Sequence, residues 1–310
     1  MNKATLLDGL DSVTTIPLIP FRNGKIDYDA HQMNIHYLMK NNHLSDARPR
    51  VICIAGTSLI NQVDNNSQNK LLEATADAMD GQGILLSAIS PNPIDNANIL
   101  VEAQSKMNRP PDAYLIMPLE GVYSSQGLYE GLKEFSARHG ENSDARFLYY
   151  YRQPRDKKQI IRLICDSPHF IGVKVGTTEA DVPDMVREIG SHGLVIWGIG
   201  DRSTKAAQLG AKGHTSGISV LVAKAGDLIN NAQRKGDYAT SLAIEQRISP
   251  LEDLRFRDAR EFNYSAVLEG MILSGFTDID GGEGGPFNPR VSSDVSKEVQ
   301  EAIADILDLH

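Results

Sequence analysis

The sequence predicts a (β/α)8 barrel followed by a C-terminal helical extension, and three observations lead to that fold. Eight short β-branched or apolar runs recur, at residues 13–19, 51–55, 84–88, 113–117, 146–150, 170–173, 194–197 and 213–216. Their first residues stand 38, 33, 29, 33, 24, 24 and 19 positions apart, room in most gaps for one helix and two loops, as parallel βα units require. The chain has 310 residues, more than the roughly 250 of a typical barrel of this kind, so an appendage fits as well.

Between the runs lie helical patterns, with apolar residues three and four apart, at 68–79, 94–107, 126–139 and 182–189. Eight alternations favour closure over an open doubly wound sheet. The latter would call for G-x-G-x-x-G after its first strand, and Ile16-Pro17-Leu18-Ile19-Pro20-Phe21 supplies nothing similar. Residues 221–234 read as the helix that closes the barrel, which places a barrel domain at 1–234 and a helical domain at 235–310, with helices at 238–254 and 295–309. A Gly/Pro-rich stretch at 281–289 breaks the extension and reads as a surface or interface loop.

Composition narrows the partners. With 31 basic against 40 acidic residues the net charge is −9 and no basic face is concentrated, so nucleic acid is not expected. Asp8 and Asp11 interrupt any secretory signal, and no window resembles a membrane span, so a cytoplasmic protein with a small-molecule partner is expected. Cys53 and Cys165 lack metal spacing and read as two buried free thiols.

In a barrel of this kind chemistry sits at the carboxyl ends of the strands. The sixth strand, Phe170-Ile171-Gly172-Val173-Lys174, puts Gly172 and Lys174 on one face. If that face is the interior, the amine is desolvated, loses basicity and can attack a carbonyl; on strand geometry alone a lysine that snorkels to solvent is the favoured reading. The fifth strand ends in Tyr149-Tyr150-Tyr151, a source of one phenol for proton relay or simply of packing. After the second strand, Ala55-Gly56-Thr57-Ser58 offers amides and hydroxyls to a carboxylate, or an ordinary turn. Gly198-Ile199-Gly200 after the seventh strand is a phosphate-loop candidate or plain turn chemistry.

Taken together these windows resemble the dihydrodipicolinate synthase and N-acetylneuraminate lyase family, nearly end to end. Thr15-Ile16-Pro17-Leu18-Ile19-Pro20-Phe21 with Gly24-Lys25-Ile26-Asp27 is similar to that family's opening T-P-F and G-x-I-D pattern. Gly56-Thr57-Ser58 is similar to the start of its G-T-T-G-E loop, Leu148-Tyr149 to its strand-five tyrosine, and Ile171-Gly172-Val173-Lys174 to its lysine strand. Leu209-Gly210-Ala211-Lys212-Gly213 with Thr215-Ser216 is similar to its eighth-strand element.

The resemblance implies a (β/α)8 lyase that needs no metal or organic cofactor and acts on pyruvate or a 2-oxo sugar acid, assembled as a homodimer or homotetramer. It implies Lys174 as Schiff-base nucleophile, Tyr149 as acid/base, and Thr57 as the hydroxyl that links Tyr149 onward. It implies Gly56, Ser58, Gly198 and Thr215 as substrate-binding positions. The chain departs from the pattern where Leu59-Ile60 replaces Gly-Glu, where Pro118-Leu119-Glu120 replaces the strand-four tyrosine, with Tyr123 nearest, and where Arg152 and Arg155 stand in place of a binding arginine. Those departures motivate an alternative, a ligand-binding or regulatory paralogue without turnover; a phosphate-handling barrel built on Gly198 is a third reading. Glu252-Asp253-Leu254-Arg255 looks more like the sugar-acid dehydratases of the family.

Overall fold

The computed structural model describes residues 1–55, 57 and 59–310; the positions proposed for substrate binding at Gly56 and Ser58 lie outside the described residues. Helix α1 (Lys3–Leu10), capped by the Asn2 side chain, leads into β1 (Val13–Thr15). The expected first strand was longer, 13–19, but Pro17 and Pro20 have no N–H to give a ladder, and the chain instead turns into a hairpin of β2 (Phe21–Arg22) and β3 (Lys25–Ile26). Helix α2 (Tyr28–Lys40), started by the Asp27 cap, brings the chain to β4 (Val51–Ile54).

From there strand and helix alternate. The order is α3 (Asn65–Ala78), β5 (Ile84–Ile89), α4 (Ile94–Gln104), β6 (Ala113–Ile116), α5 (Ser125–Ser143), β7 (Phe147–Tyr151) and α6 (Lys157–Asp166). It continues with β8 (Phe170–Val175), α7 (Val182–Ile189), β9 (Leu194–Trp197), α8 (Thr204–Gln208), β10 (His214–Ser216) and α9 (Ala223–Arg234). Then come α10 (Tyr238–Arg260), α11 (Ser265–Ser274) and α12 (Ser293–Ile303).

All eight barrel strands run parallel in the ring β1-β10-β9-β8-β7-β6-β5-β4, which closes where β1 pairs with both β4 and β10. The predicted (β/α)8 barrel is therefore the observed fold, with helices following it. Each predicted run overlaps one strand; apart from the first, which ends four residues early, the ends differ by no more than a residue or two. Among the described residues no helix is long and apolar enough to cross a membrane. Cys53 is buried in the barrel, whereas Cys165 is only half-buried on α6, its thiol facing the Glu188 carbonyl, which corrects the expectation of two buried thiols.

The seam of the ring is fastened from outside β1. Arg50, immediately before β4, forms a two-pronged ion pair with Asp227 of α9, Nη1 to Oδ1 at 2.7 Å and Nη2 to Oδ2 at 2.8 Å. The same guanidinium donates to the carbonyls of Leu38 and Asn41, and Asp227 also accepts the His43 N–H. Both side chains are almost fully buried, and their charges are matched by hydrogen bonds on every side. The 281–289 stretch packs on the β2–β3 hairpin, where the Glu283 N–H meets the Phe21 carbonyl at 2.8 Å and Arg22 pairs with Asp280 at 2.7 Å.

Removing one half of a buried, hydrogen-bonded ion pair leaves the other charge stranded. Arg50→Met is expected to lower unfolding stability by about 3–5 kcal/mol, and the double variant Arg50→Met/Asp227→Leu to recover a large part of that loss, both read from denaturant melts. Equal stability of the single variant and the unmodified chain would remove the pair from the seam.

Candidate active site

Inward-facing residues at the carboxyl ends of the strands surround a cavity of about 210 Å³. Lys174, next to the last residue of β8, projects into it and is only 5 % exposed. Burial holds its ammonium below the ordinary lysine value, and the nearby Arg260 and Arg152 push the same way, against the opposing pull of Tyr150 and Cys53. The Cys53 thiol, fully buried, is pushed up to about 12 by desolvation and is no nucleophile at neutral pH.

The phenol beside the amine belongs to Tyr150. In the pairing of β7 with β8, Tyr150 stands level with Lys174, so both point inward, and the Lys174 Nζ lies 4.1 Å from the centre of the Tyr150 ring. Burial pushes the Tyr150 phenol up, but Lys174, Arg260 and Arg152 together outweigh it and hold the phenol below its usual range. Three cations around one hydroxyl thus make it a ready proton donor.

Tyr149, the residue expected in this role, points the other way. It packs between strand and helix in the outer apolar layer with Ile116, Phe147 and Tyr151, and its hydroxyl accepts the Leu119 N–H at 3.4 Å. Its desolvated phenol is pushed well up, with no cation among the causes. Period-two alternation along β7 turns Phe147, Tyr149 and Tyr151 to the outer layer and Tyr150 to the cavity. Tyr123 is likewise engaged elsewhere, its hydroxyl on Asp156 at 2.8 Å.

The other expected positions divide. Thr57 and Thr215 line the cavity with Lys174. Thr57 is not linked to Tyr149; its Oγ1 faces the Arg255 Nη2 at 3.5 Å. Gly198 also lines the cavity, and its role is spatial: a Cβ there would stand 2.7 Å from Lys174 Cγ and 2.6 Å from the Val175 carbonyl oxygen. That close approach gives the lysine stem its channel and accounts for the glycine without any phosphate. Gly217 does the same for Arg255, whose guanidinium a Cβ would overlap.

The roof of the cavity comes from beyond the barrel, at the junction of α10 and α11. Arg255 is buried, forms an ion pair with Glu252 and donates to the Asn263 Oδ1 at 2.8 Å. Burial pushes Glu252 above the usual carboxylate range despite Arg255, and the Asp201 N–H donates to it at 3.3 Å. Arg260 donates from Nη1 to the Tyr150 hydroxyl at 3.1 Å. The helical geometry of α10 breaks at Arg257, and Asp258, Ala259 and Arg260 follow with φ of +46°, +56° and +81°. Three successive non-glycine residues in left-handed conformation cost roughly 1–3 kcal/mol each, a strain that the packed roof sustains.

Sequence reasoning did not assign Tyr150, Asn61, Arg255, Phe256, Arg260 or Asn263 to the site, and all six line it. The arginine-dense run Arg255-Phe256-Arg257-Asp258-Ala259-Arg260 was the available signal for the roof.

Comparison with known proteins agrees with this architecture. The model of the dihydrodipicolinate synthetase family matches residues 10–303. A 4-hydroxy-tetrahydrodipicolinate synthase of Thermotoga petrophila is 21 % identical over 268 residues, 84 % of this chain and 88 % of that protein. That of Pseudomonas aeruginosa is 20 % identical over 256 residues, 81 % and 84 % of the two chains. Among solved structures, dihydrodipicolinate synthase from Bacillus clausii superimposes with a TM-score of 0.83 at 22 % identity, covering 96 % of this chain and 98 % of that one. N-acetylneuraminate lyase from Mycoplasma synoviae does so at 0.78 and 18 % identity, covering 97 % and 99 %. With a family match spanning nearly the whole chain on a closed barrel with a lysine at its mouth, this protein belongs to the dihydrodipicolinate synthetase family and is a lyase.

Proposed function

We propose that this lyase works through a Schiff base between Lys174 and the C2 carbonyl of pyruvate or a longer 2-oxo acid. The observation that carries the reading is the buried Lys174 amine, held below its ordinary basicity and 4.1 Å from the Tyr150 ring. A neutral amine adds to the carbonyl to give a carbinolamine. Protonation of its oxygen lets water leave, and the C–N double bond that remains is a cationic iminium. The iminium accepts the electron pair released when a bond at C3 is broken, whether to hydrogen or to carbon, and becomes an enamine. The enamine then takes a proton or carbonyl carbon at C3, or expels a C4 hydroxyl as water, and the iminium so restored is hydrolysed to product and free lysine.

Each proton move needs a donor and acceptor at the same place. Tyr150 is the phenol available to hold it, with Arg260 hydrogen-bonded to its oxygen to steady the phenolate form. Thr57 and Thr215 offer hydroxyls for the carboxylate adjoining the carbonyl, and Ser58 and Gly56 complete the same loop in sequence. Which 2-oxo acid is taken, and whether carbon or oxygen departs, belongs to the same proposal, as does assembly into a homodimer or homotetramer.

Reduction with borohydride in the presence of pyruvate is expected to leave a covalent adduct that peptide mapping places on Lys174, and Lys174→Ala to abolish it. Adduct on another lysine, or none with any 2-oxo acid of a panel, sinks the mechanism. Tyr150→Phe should slow turnover by roughly 100-fold or more while Tyr149→Phe leaves it within a few-fold, and the reverse pattern would return the proton relay to Tyr149.

The pH dependence has a definite sign. Because the folded protein lowers the Lys174 pKa, the reactive neutral amine accumulates at lower pH than in a free lysine. The rate of trapping should therefore rise with pH with a midpoint below 10.5. A midpoint at or above that value contradicts the desolvated amine.

A further inference from the structure

We propose that Glu252, which does not line the cavity, is a positioning residue for the reaction: it fixes the Arg255 guanidinium against Thr57, so that the Thr57 hydroxyl turns its proton toward the ligand. The inference rests on the reading that Thr57 meets the carboxylate beside the substrate carbonyl, but it assigns a role to residues that this reading leaves unused.

Glu252 holds two elements at once. Its Oε1 pairs with Arg255 Nη1 one turn along α10, and its Oε2 accepts the Asp201 N–H at 3.3 Å from the loop after β9. The carboxylate is fully buried and the guanidinium nearly so, which leaves each the natural partner of the other. Gly200 is what lets the carboxylate reach the loop. Its φ is +62°, and a Cβ there would overlap Glu252 Oε2. The second glycine of Gly198-Ile199-Gly200 is thus accounted for by the roof, without a phosphate.

The guanidinium held in this way is aimed at Thr57. Arg255 Nη2 donates to the Asn263 Oδ1 at 2.8 Å and to the Thr57 Oγ1 at 3.5 Å. Gly217, just after β10, supplies the space in which guanidinium and hydroxyl meet: a Cβ there would overlap Arg255 Nη2 and stand 2.9 Å from Thr57 Oγ1. A guanidinium can only donate, whereas a hydroxyl has one proton and two lone pairs. With a lone pair of Thr57 taken by Nη2, the proton is left for an acceptor on the cavity side, and a carboxylate oxygen is such an acceptor. Arg255 itself already has its counter-charge in Glu252, so its part is to orient the hydroxyl.

A double-mutant cycle between residues 252 and 57 tests this. Half-saturating concentrations and limiting rates of borohydride trapping with pyruvate are measured for the unmodified protein, Glu252→Gln, Thr57→Val and the two combined. Calorimetry follows oxamate through the same four proteins, since this isostere of pyruvate has an amide carbonyl that forms no imine. Glu252→Gln is expected to raise the half-saturating concentration about tenfold, to keep the limiting rate within about threefold, and to add less than about twofold once Thr57 is valine. An unchanged half-saturating concentration overturns the inference. So do effects of the two substitutions that multiply independently, because Glu252 would then support the fold and not Thr57. Where Glu252→Gln does not fold, Glu252→Gln/Arg255→Met, which removes both buried charges, takes its place in the cycle with the same expected result, and normal affinity in that folded variant overturns the inference. If pyruvate forms its Lys174 adduct and the coupling is missing, the Schiff-base reading stands and this one falls. If no ligand forms an adduct while oxamate affinity still couples residues 252 and 57, the reverse holds.

Discussion

Ring closure is the constraint on which the molecule depends. A parallel strand presents alternate residues to the two faces of a sheet, so a one-residue slip anywhere in a closed ring would exchange inside for outside. Here β1 is hydrogen-bonded on both edges, to β4 and to β10, and the buried Arg50–Asp227 pair ties the flanks of that seam together. With the ring fixed, the level pairing of Tyr150 with Lys174 follows, and an amine and a phenol are held side by side without either being free to reorient.

What the barrel then does to Lys174 is largely a matter of solvation. Side chains of both layers shield it, Gly198 allows its stem to lie flat, and the nearest cations disfavour a further positive charge. Against burial, which raises it, the neighbouring phenol is lowered first by the Lys174 ammonium itself and then by Arg260 and Arg152. One electrostatic environment therefore shifts both groups, lowering the basicity of the amine and the pKa of the phenol.

The fold and the lysine were legible because both are written locally. Eight runs at βα spacing and the inward alternation of Gly172 and Lys174 need no knowledge of neighbours. Tyr150 was not legible, since three tyrosines in a row carry no phase of their own, and the choice shows only in the pairing that sets Tyr150 level with Lys174 of β8. Helices such as α2 and α6 went unassigned, although Asp27 caps the first and Ile160, Ile161 and Ile164 form the apolar stripe of the second. The roof was least legible of all. Arg255, Arg260 and Asn263 reach the cavity through a break in α10 that follows no periodic pattern, so only the three-dimensional path of the chain brings them to the lysine.

That division of labour has a consequence for how such a protein can change. Lys174 and Tyr150 are anchored in the ring, where nearly any substitution disturbs packing on two sides. The short stretch 255–263 lies outside the ring and meets it mainly through side chains, Arg260 on the Tyr150 hydroxyl and Arg255 on Thr57. Substitution of those roof side chains that do not touch Tyr150, such as Phe256 and Asn263, reshapes the chamber without altering the strand pairing that sets Lys174 beside Tyr150.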